Sequence, residues 1–246
     1  MSEMFDWQHY QTAFCEAAMA AGFMPTLLAD LESGPLVAWE RPSSGPRIYL
    51  SAGIHGDEPA GPLALLELMC EGFFTPAVHW SLCPALNPYG LTAVTRENAN
   101  GVDLNRDYWQ RATLEVVAHA LWLDARPAPE LFISLHEDWE SKGFYFYEIN
   151  LGVDEPQRAR LILEAVSPWF PPESGPEIDG HELREAGWIY HAAEPDPTGR
   201  LARSYLSGEN GLPSFIYLRD PQPSQAGPTR RCPHGCGESR VPVFRS

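Results

Sequence analysis

The stretch Arg47-Ile48-Tyr49-Leu50-Ser51-Ala52-Gly53-Ile54-His55-Gly56-Asp57-Glu58-Pro59, followed by the almost wholly apolar run Ala60 to Cys70, decides the fold. Arg47 to Ala52 is short and strand-like, and Gly53 to Pro59 is a polar loop. Ala60 to Cys70 is rich in Leu and Ala, the composition of a helix buried against a sheet. Strand, loop and buried helix in that order make the repeating unit of an α/β protein. His55 and Glu58 fall in the loop, at the carboxyl edge of the sheet where open α/β folds present their ligands.

Working outward, Asp6 to Ala21 contains no proline or glycine and predicts an opening helix. Leu36 to Trp39 and Arg47 to Ala52 are separated by Pro42-Ser43-Ser44-Gly45-Pro46, which predicts a hairpin or a pair of neighbouring strands. Downstream, the strand His79 to Pro84 runs into the turn Asn87-Pro88-Tyr89-Gly90. Trp109 to Asp124 has helical spacing, and Leu131 to Leu135 reads as a short buried strand ending at His136. Gly143 to Ile149, Trp188 to His191 and Ser214 to Leu218 supply further strands. Strands alternating with helices predict a three-layer α/β/α sandwich around a mixed, mainly parallel sheet. Residues 1–220 form one domain on this reading. From about Pro221 to Ser246, proline, glycine and arginine dominate, periodicity vanishes, and little regular structure is expected.

The chain has 246 residues, 44% of them hydrophobic, enough for one large α/β domain. Its formal net charge of −16 repels phosphate backbones and anionic membrane surfaces, so nucleic acid and membrane are not expected partners. Met1 to Tyr10 lacks a basic segment followed by an apolar core, and no window approaches a membrane span, so a cytoplasmic protein is expected. The cysteines Cys15, Cys70, Cys83, Cys232 and Cys236 are odd in number and scattered, and no disulfide framework is read from them. Cys232-Pro233-His234-Gly235-Cys236 lacks a fourth metal partner.

A catalytic zinc needs three protein ligands and a fourth position for water. His55 and Glu58 supply two ligands, and His136, at the end of a strand on the same sheet edge, supplies the third. One Zn²⁺ is expected, since two histidines and a glutamate suit hydrolytic zinc, which lowers the pKa of its water from 15.7 to about 7. His9, His79, His119, His181, His191 and His234 lack such context, and surface or satisfied core roles are expected for them.

Between these ligands lie Asn87-Pro88-Tyr89-Gly90, then Arg96, then Gly101-Val102-Asp103-Leu104-Asn105-Arg106. This ordered set resembles the M14 metallocarboxypeptidases, whose motif reads N-P-x-G, an arginine, then G-V-D-x-N-R. The resemblance covers Ile48 to Glu137 closely and the rest to Leu218 more loosely. It implies a carboxypeptidase-like fold with metal ligands His55, Glu58 and His136. It also implies that Arg96 steadies an oxyanion, and that Asn105 and Arg106 grip a substrate carboxylate. The bland reading of Arg106 is a salt bridge to Asp103 or Asp107. Tyr190, in Gly187-Trp188-Ile189-Tyr190-His191, matches the family's substrate-capping tyrosine. Asp57 departs from the digestive members: H-G-D-E resembles the murein-peptide amidases and the aspartoacylase and succinylglutamate desuccinylase group. The implied substrate is a small peptide or acyl amino acid with a carboxylate. Glu137 and Asp138 either orient the ligands or repel an anion.

One expected residue is missing. The family carries a general-base glutamate on a late strand, in a context like F-T-F-E. Here Phe215-Ile216-Tyr217-Leu218-Arg219-Asp220 puts Leu218 or Tyr217 at that position. A shifted reading frame or a recombined tail after Tyr217 accounts for both this loss and the change in composition. Glu182, Glu185, Glu209 and Asp220 are the alternative carboxylates. Three functions follow from the sequence: a zinc hydrolase cleaving an amide beside a free carboxylate, an N-acyl amino acid deacylase, or an inactive zinc- or ligand-binding relative.

Overall fold

The structure is a computed structural model describing residues 5–150 and 153–192, together with the backbone of 215–217. Three flanking helices and two mixed halves of one sheet organise the site. The chain opens with α1 (Trp7–Ala20), whose first turn is closed by the Asp6 carboxylate accepting from the His9 backbone N–H at 3.0 Å. Two antiparallel strands follow, β1 (Met24–Leu31) and β2 (Gly34–Arg41), then β3 (Arg47–Ser51), α2 (Ala60–Cys70) and β4 (His79–Cys83). Next come α3 (Pro88–Ala93), the one-turn α4 (Leu104–Asp107), α5 (Leu114–Asp124) and β5 (Leu131–His136). The second half holds β6 (Phe146–Asn150), α6 (Pro156–Val166), the small hairpin β7 (Glu177–Ile178) and β8 (His181–Glu182), then β9 (Trp188–Ala192) and β10 (Phe215–Tyr217).

The main sheet has the order β1-β2-β4-β3-β5-β10-β6-β9. Its centre, β4-β3-β5-β10, is all parallel, and antiparallel pairs join β2 to β4 and β10 to β6. Alternate side chains sort to two faces. Trp39, Leu50, Leu82 and Leu135 pack against α1 and α2, through residues such as Phe14, Leu65 and Leu66. Leu36, Ala38, Tyr49, Cys83 and Phe132 pack against α5, through Val116, Ala120 and Leu123. The expected three-layer α/β/α sandwich with a mixed, mainly parallel sheet is therefore the observed fold. Central strands buried on both faces need this cover.

Local expectations were corrected at several points. The strands Leu36–Trp39 and Arg47–Ala52 are not neighbours: β4 lies between β2 and β3, and the hairpin partner of β2 is β1. β1 was missed because Met24, Leu27 and their neighbours alternate weakly and Pro25 interrupts the pattern. The helix expected from Trp109 begins at Leu114, since Thr113 caps it and Arg111 turns the chain at φ 54°. The turn Asn87–Gly90 is the first turn of α3, with Pro88 at its start, where a missing N–H costs nothing. Cys15 and Cys83 are free thiols, and Cys232 and Cys236 lie outside the described residues. The Pro/Gly/Arg-rich tail from Pro221 also lies outside them.

Candidate metal centre

β3 and β5 are adjacent and parallel, with Ser51 paired to Ser134, so the loop after β3 and the end of β5 emerge together at the carboxyl edge. That places His55, Glu58 and His136 side by side. The Glu58 carboxylate lies between the two rings, with Oε1 2.7 Å from His55 Nδ1 and Oε2 2.8 Å from His136 Nδ1. All three residues are buried, and their ligand atoms lie within 4.8 Å of one another. Among the described residues this is the one group of three or more His, Cys, Asp or Glu side chains with metal-binding spacing.

Two glycines allow this loop. A Cβ on Gly56 would lie 1.8 Å from the Gly90 carbonyl carbon, so the His55–Glu58 loop packs directly on the start of α3. The Gly56 N–H donates to the Thr95 carbonyl at 2.9 Å. Asn87 explains the N-P-x-G motif: its Oδ1 accepts from the Gly90 N–H at 2.8 Å. Its Nδ2 donates to the carbonyls of Ile54 at 3.3 Å and Arg96 at 3.4 Å. One buried amide thus joins the loops that carry His55 and Arg96.

Asp103 and Glu137 orient the group. Asp103 Oδ1 is 3.2 Å from His55 Nε2, Oδ2 accepts from Arg96 Nε at 3.0 Å, and Oδ1 accepts from the Asn105 N–H at 2.9 Å. Arg96 Nη1 also lies 3.5 Å from Glu58 Oε1. Glu137 offers its N–H to Glu58 Oε2 at 3.2 Å, and its own carboxylate accepts from the Ala60 N–H at 2.7 Å, satisfying the start of α2. Both contacts are of the kind by which a neighbouring residue orients a ligand. Asp138 accepts from the Tyr145 hydroxyl at 2.8 Å. The role of Asp103 was missed in the sequence, where it figured only as a partner for Arg106.

Charge in the group is set by burial against contact. Burial alone would raise the Glu58 carboxyl, but the charge and hydrogen bond of His136, with those of His55, hold it well below the ordinary carboxylate range. Asp103 is likewise depressed: burial opposes ionisation, and the His55 and Arg96 contacts outweigh it. Burial pulls His136 down, toward the neutral form that ligates metal. At His55 burial also favours the neutral form, but the carboxylates of Asp103 and Glu58 prevail and raise it. The donor set fits zinc: two imidazole Nδ1 atoms and a carboxylate, with Nε2 of His55 held by a carboxylate that fixes the ring.

The predicted substrate residues follow on α4. Asn105 is buried, and its Oδ1 has no hydrogen-bond partner among the described residues. Arg106 is exposed, and its charge acts on the Tyr147 phenol. Burial holds that phenol above its ordinary value and Asp179 adds to this, while Arg106 opposes it. Asp103 and Asp107 are engaged elsewhere, Asp107 accepting from the Thr113 hydroxyl at 2.6 Å and from the backbone of Ala112 and Thr113.

Tyr190 is placed apart from this group. It packs with Trp188 on the α6 face of β9, under the Arg184 guanidinium at 4.4 Å from its ring centre. Tyr145 and Tyr147 occupy the opposite face, beside Asp138 and Asp179. They escaped notice because residues 144–147 are all aromatic, so alternation could not single them out. Among the alternative carboxylates, Glu185 is paired with Arg160 at 2.6 Å and Glu182 is exposed on β8. Glu209, Leu218, Arg219 and Asp220 lie outside the described residues.

An α/β/α sandwich with a His-Glu-His group at the carboxyl edge of its parallel strands has the architecture of the zinc carboxypeptidases. Residues 44–157 match the model of the succinylglutamate desuccinylase/aspartoacylase catalytic domain. Carboxypeptidase SOL1 of Arabidopsis thaliana is 38% identical over 74 residues, covering 26% of this chain and 15% of that protein. Carboxypeptidase 2 of Trichophyton tonsurans is 30% identical over 116 residues, covering 43% of this chain and 21% of the other. The matches therefore span about a fifth or less of these relatives' length. A solved structure from Shewanella denitrificans, described as a metallopeptidase, shares the fold with a TM-score of 0.72 at 24% identity, over 89% of this chain and 86% of that one. With its ordered motifs, the chain is similar to the M14-like metallocarboxypeptidases.

Proposed function

We propose that the protein is a zinc-dependent hydrolase that cleaves an amide bond next to a free carboxylate, acting on a small peptide or acyl amino acid. One observation carries this reading. Asp103 joins the metal group to the carboxylate-binding helix: it holds His55 and Arg96 with its side chain and receives the Asn105 N–H. Metal ligand, oxyanion donor and carboxylate grip form one hydrogen-bonded unit.

A single zinc held by His55, Glu58 and His136 would supply Lewis acidity and a readily ionised water. The chain's own groups do the rest. Arg106 offers a planar, permanently charged fork to a carboxylate, and the Asn105 amide can add a hydrogen bond to it through its Nδ2 donor. Arg96, fixed by Asp103, brings a guanidinium to the place where negative charge grows on the attacked carbonyl oxygen. Glu137 keeps the Glu58 carboxylate facing both histidines. The late-strand position of the general base carries Tyr217 or Leu218 in place of glutamate, so turnover slower than in enzymes that keep the glutamate is part of the proposal. No helix among the described residues is long and apolar enough to cross a membrane, and the net charge of −16 disfavours nucleic acid as a partner.

The test is zinc analysis of the purified protein together with hydrolysis of N-acyl dipeptides, each offered with a free and with an amidated C-terminus. One zinc per chain and cleavage of the free acids alone are expected. A folded protein that takes up no zinc, or equal cleavage of both substrate forms, would refute the reading.

A further inference from the structure

His119 is buried in the centre of the fold and takes no part in the metal group. Its Nε2 lies 2.6 Å from the Tyr49 hydroxyl and its Nδ1 lies 2.5 Å from the Tyr108 hydroxyl. Relative exposures are 0% for His119 and 1% for each tyrosine, and Trp122 stacks on the imidazole at 6.2 Å. Burial pulls the imidazole down to about 3, so it is neutral at physiological pH. A neutral imidazole has one N–H and one lone pair, so one tyrosine must donate and the other must accept. The three side chains form a buried hydrogen-bonded chain linking β3, α5 and the residue that ends α4.

Stability alone does not require such a chain, because apolar residues of the same shape would fill this core at no greater cost. α4 supplies a reason. It has four residues, fewer than a helix needs to hold itself, and it carries Asn105 and Arg106. Its start is held by the Asp103 carboxylate, which accepts from the Asn105 N–H. Its end is held by two devices: Asp107, bonded to Thr113, and Tyr108, bonded to His119. Tyr108 follows Arg106 by two residues, so it fixes the stretch of backbone from which the Arg106 side chain starts.

We propose that His119 is a positioning residue: through Tyr108 it sets where α4 sits, and so where Asn105 and Arg106 meet the substrate carboxylate. The kinetic half of this inference rests on the hydrolase reading above; the structural half does not. Tyr49 is the internal control, because it makes the same kind of bond to the same imidazole from β3 and not from the end of α4.

The experiment compares Tyr108→Phe with Tyr49→Phe in the full-length, zinc-loaded protein; each variant removes one hydroxyl and leaves the ring in place. Hydrogen exchange of the amides of residues 104–108 is read by mass spectrometry, alongside KM and kcat for an N-benzoyl dipeptide with a free C-terminus. For Tyr108→Phe, exchange at 104–108 is expected to quicken and KM to rise, each by roughly three- to tenfold, the scale of one neutral hydrogen bond, with kcat within about twofold. Tyr49→Phe should lower the unfolding midpoint comparably while leaving both readouts at wild-type values. Equal exchange at 104–108 in the two variants, or a KM increase common to both, would overturn the proposal. If the wild-type protein cleaves none of the dipeptides, the hydrolase reading fails, and the exchange comparison still decides whether His119 positions α4.

Discussion

Asp103 Oδ1 lies 3.2 Å from His55 Nε2, which leaves Nδ1 as the nitrogen facing Glu58. The two residues are 48 apart in sequence, and their contact selects the ring face, the tautomer and the basicity of the ligand. Asp103→Asn keeps the size of the side chain and removes its charge. Zinc affinity is expected to fall by about 10- to 100-fold, measured by competition with a chromogenic chelator. Affinity equal to wild type would mean that Asp103 serves only to cap α4.

Much of the candidate site's placement was legible because its residues are local in sequence. His55 and Glu58 share one loop, and Asn105 and Arg106 share one turn, so spacing and motif order reveal them. His136 was legible for a different reason: a short apolar strand ending in a histidine must deliver that side chain to a sheet edge. Asp103 was not, because aspartate at a helix start is already explained by capping, and only the fold shows its other oxygen beside Arg96. Strand order was also hidden. Whether β2 pairs with β3 or β4 depends on contacts across the sheet, and the turn residues Pro42 to Pro46 fit either arrangement. Tyr190 shows the opposite error source, since a motif match fixes a position along β9 but not which face of the strand it occupies.

Gly56→Ala tests the packing of the ligand loop on α3. The added Cβ would meet backbone, the Gly90 carbonyl carbon at 1.8 Å, so no rotamer change can relieve the clash. Overpacking of this kind costs about 1–3 kcal/mol, and here it must also displace His55 or Glu58. Urea unfolding should show that loss, and zinc titration should show weakened binding. Gly175→Ala, whose Cβ has no neighbour nearer than 3.6 Å, is the control and should leave both unchanged.

His119 also predicts an acid limit to stability. Its folded pKa of about 3 lies below the ordinary value of 6.5, because burial disfavours the charged ring. The unfolded chain therefore binds the extra proton between those values while the folded chain does not. Stability from the neutral imidazole is complete above about pH 6.5 and declines as pH falls toward 3. Between pH 6.5 and 5 the loss should be about 2 kcal/mol. Urea unfolding of wild type and His119→Gln at pH 7.5 and pH 5 separates this from other groups. The variant should be less stable at pH 7.5 but lose less on acidification; parallel losses in both proteins would exclude His119 as the source.

The last prediction concerns the missing base. β10 runs parallel to β5 with Tyr217 paired to His136, so the backbone at position 217 lies beside the third metal ligand. A carboxylate introduced there starts from the right strand and the right end of it. Tyr217→Glu should raise kcat on N-acyl dipeptides over wild type, and a well-placed general base contributes about 10²- to 10⁴-fold. KM should change little, since α4 and its anchors are untouched. Rates are to be normalised to bound zinc, because an added carboxylate near the metal could alter loading as well as chemistry. A zinc-replete Tyr217→Glu protein no faster than wild type would show that the end of β10 is not where a proton acceptor can work, and that the chain's activity is limited by something other than the absent glutamate.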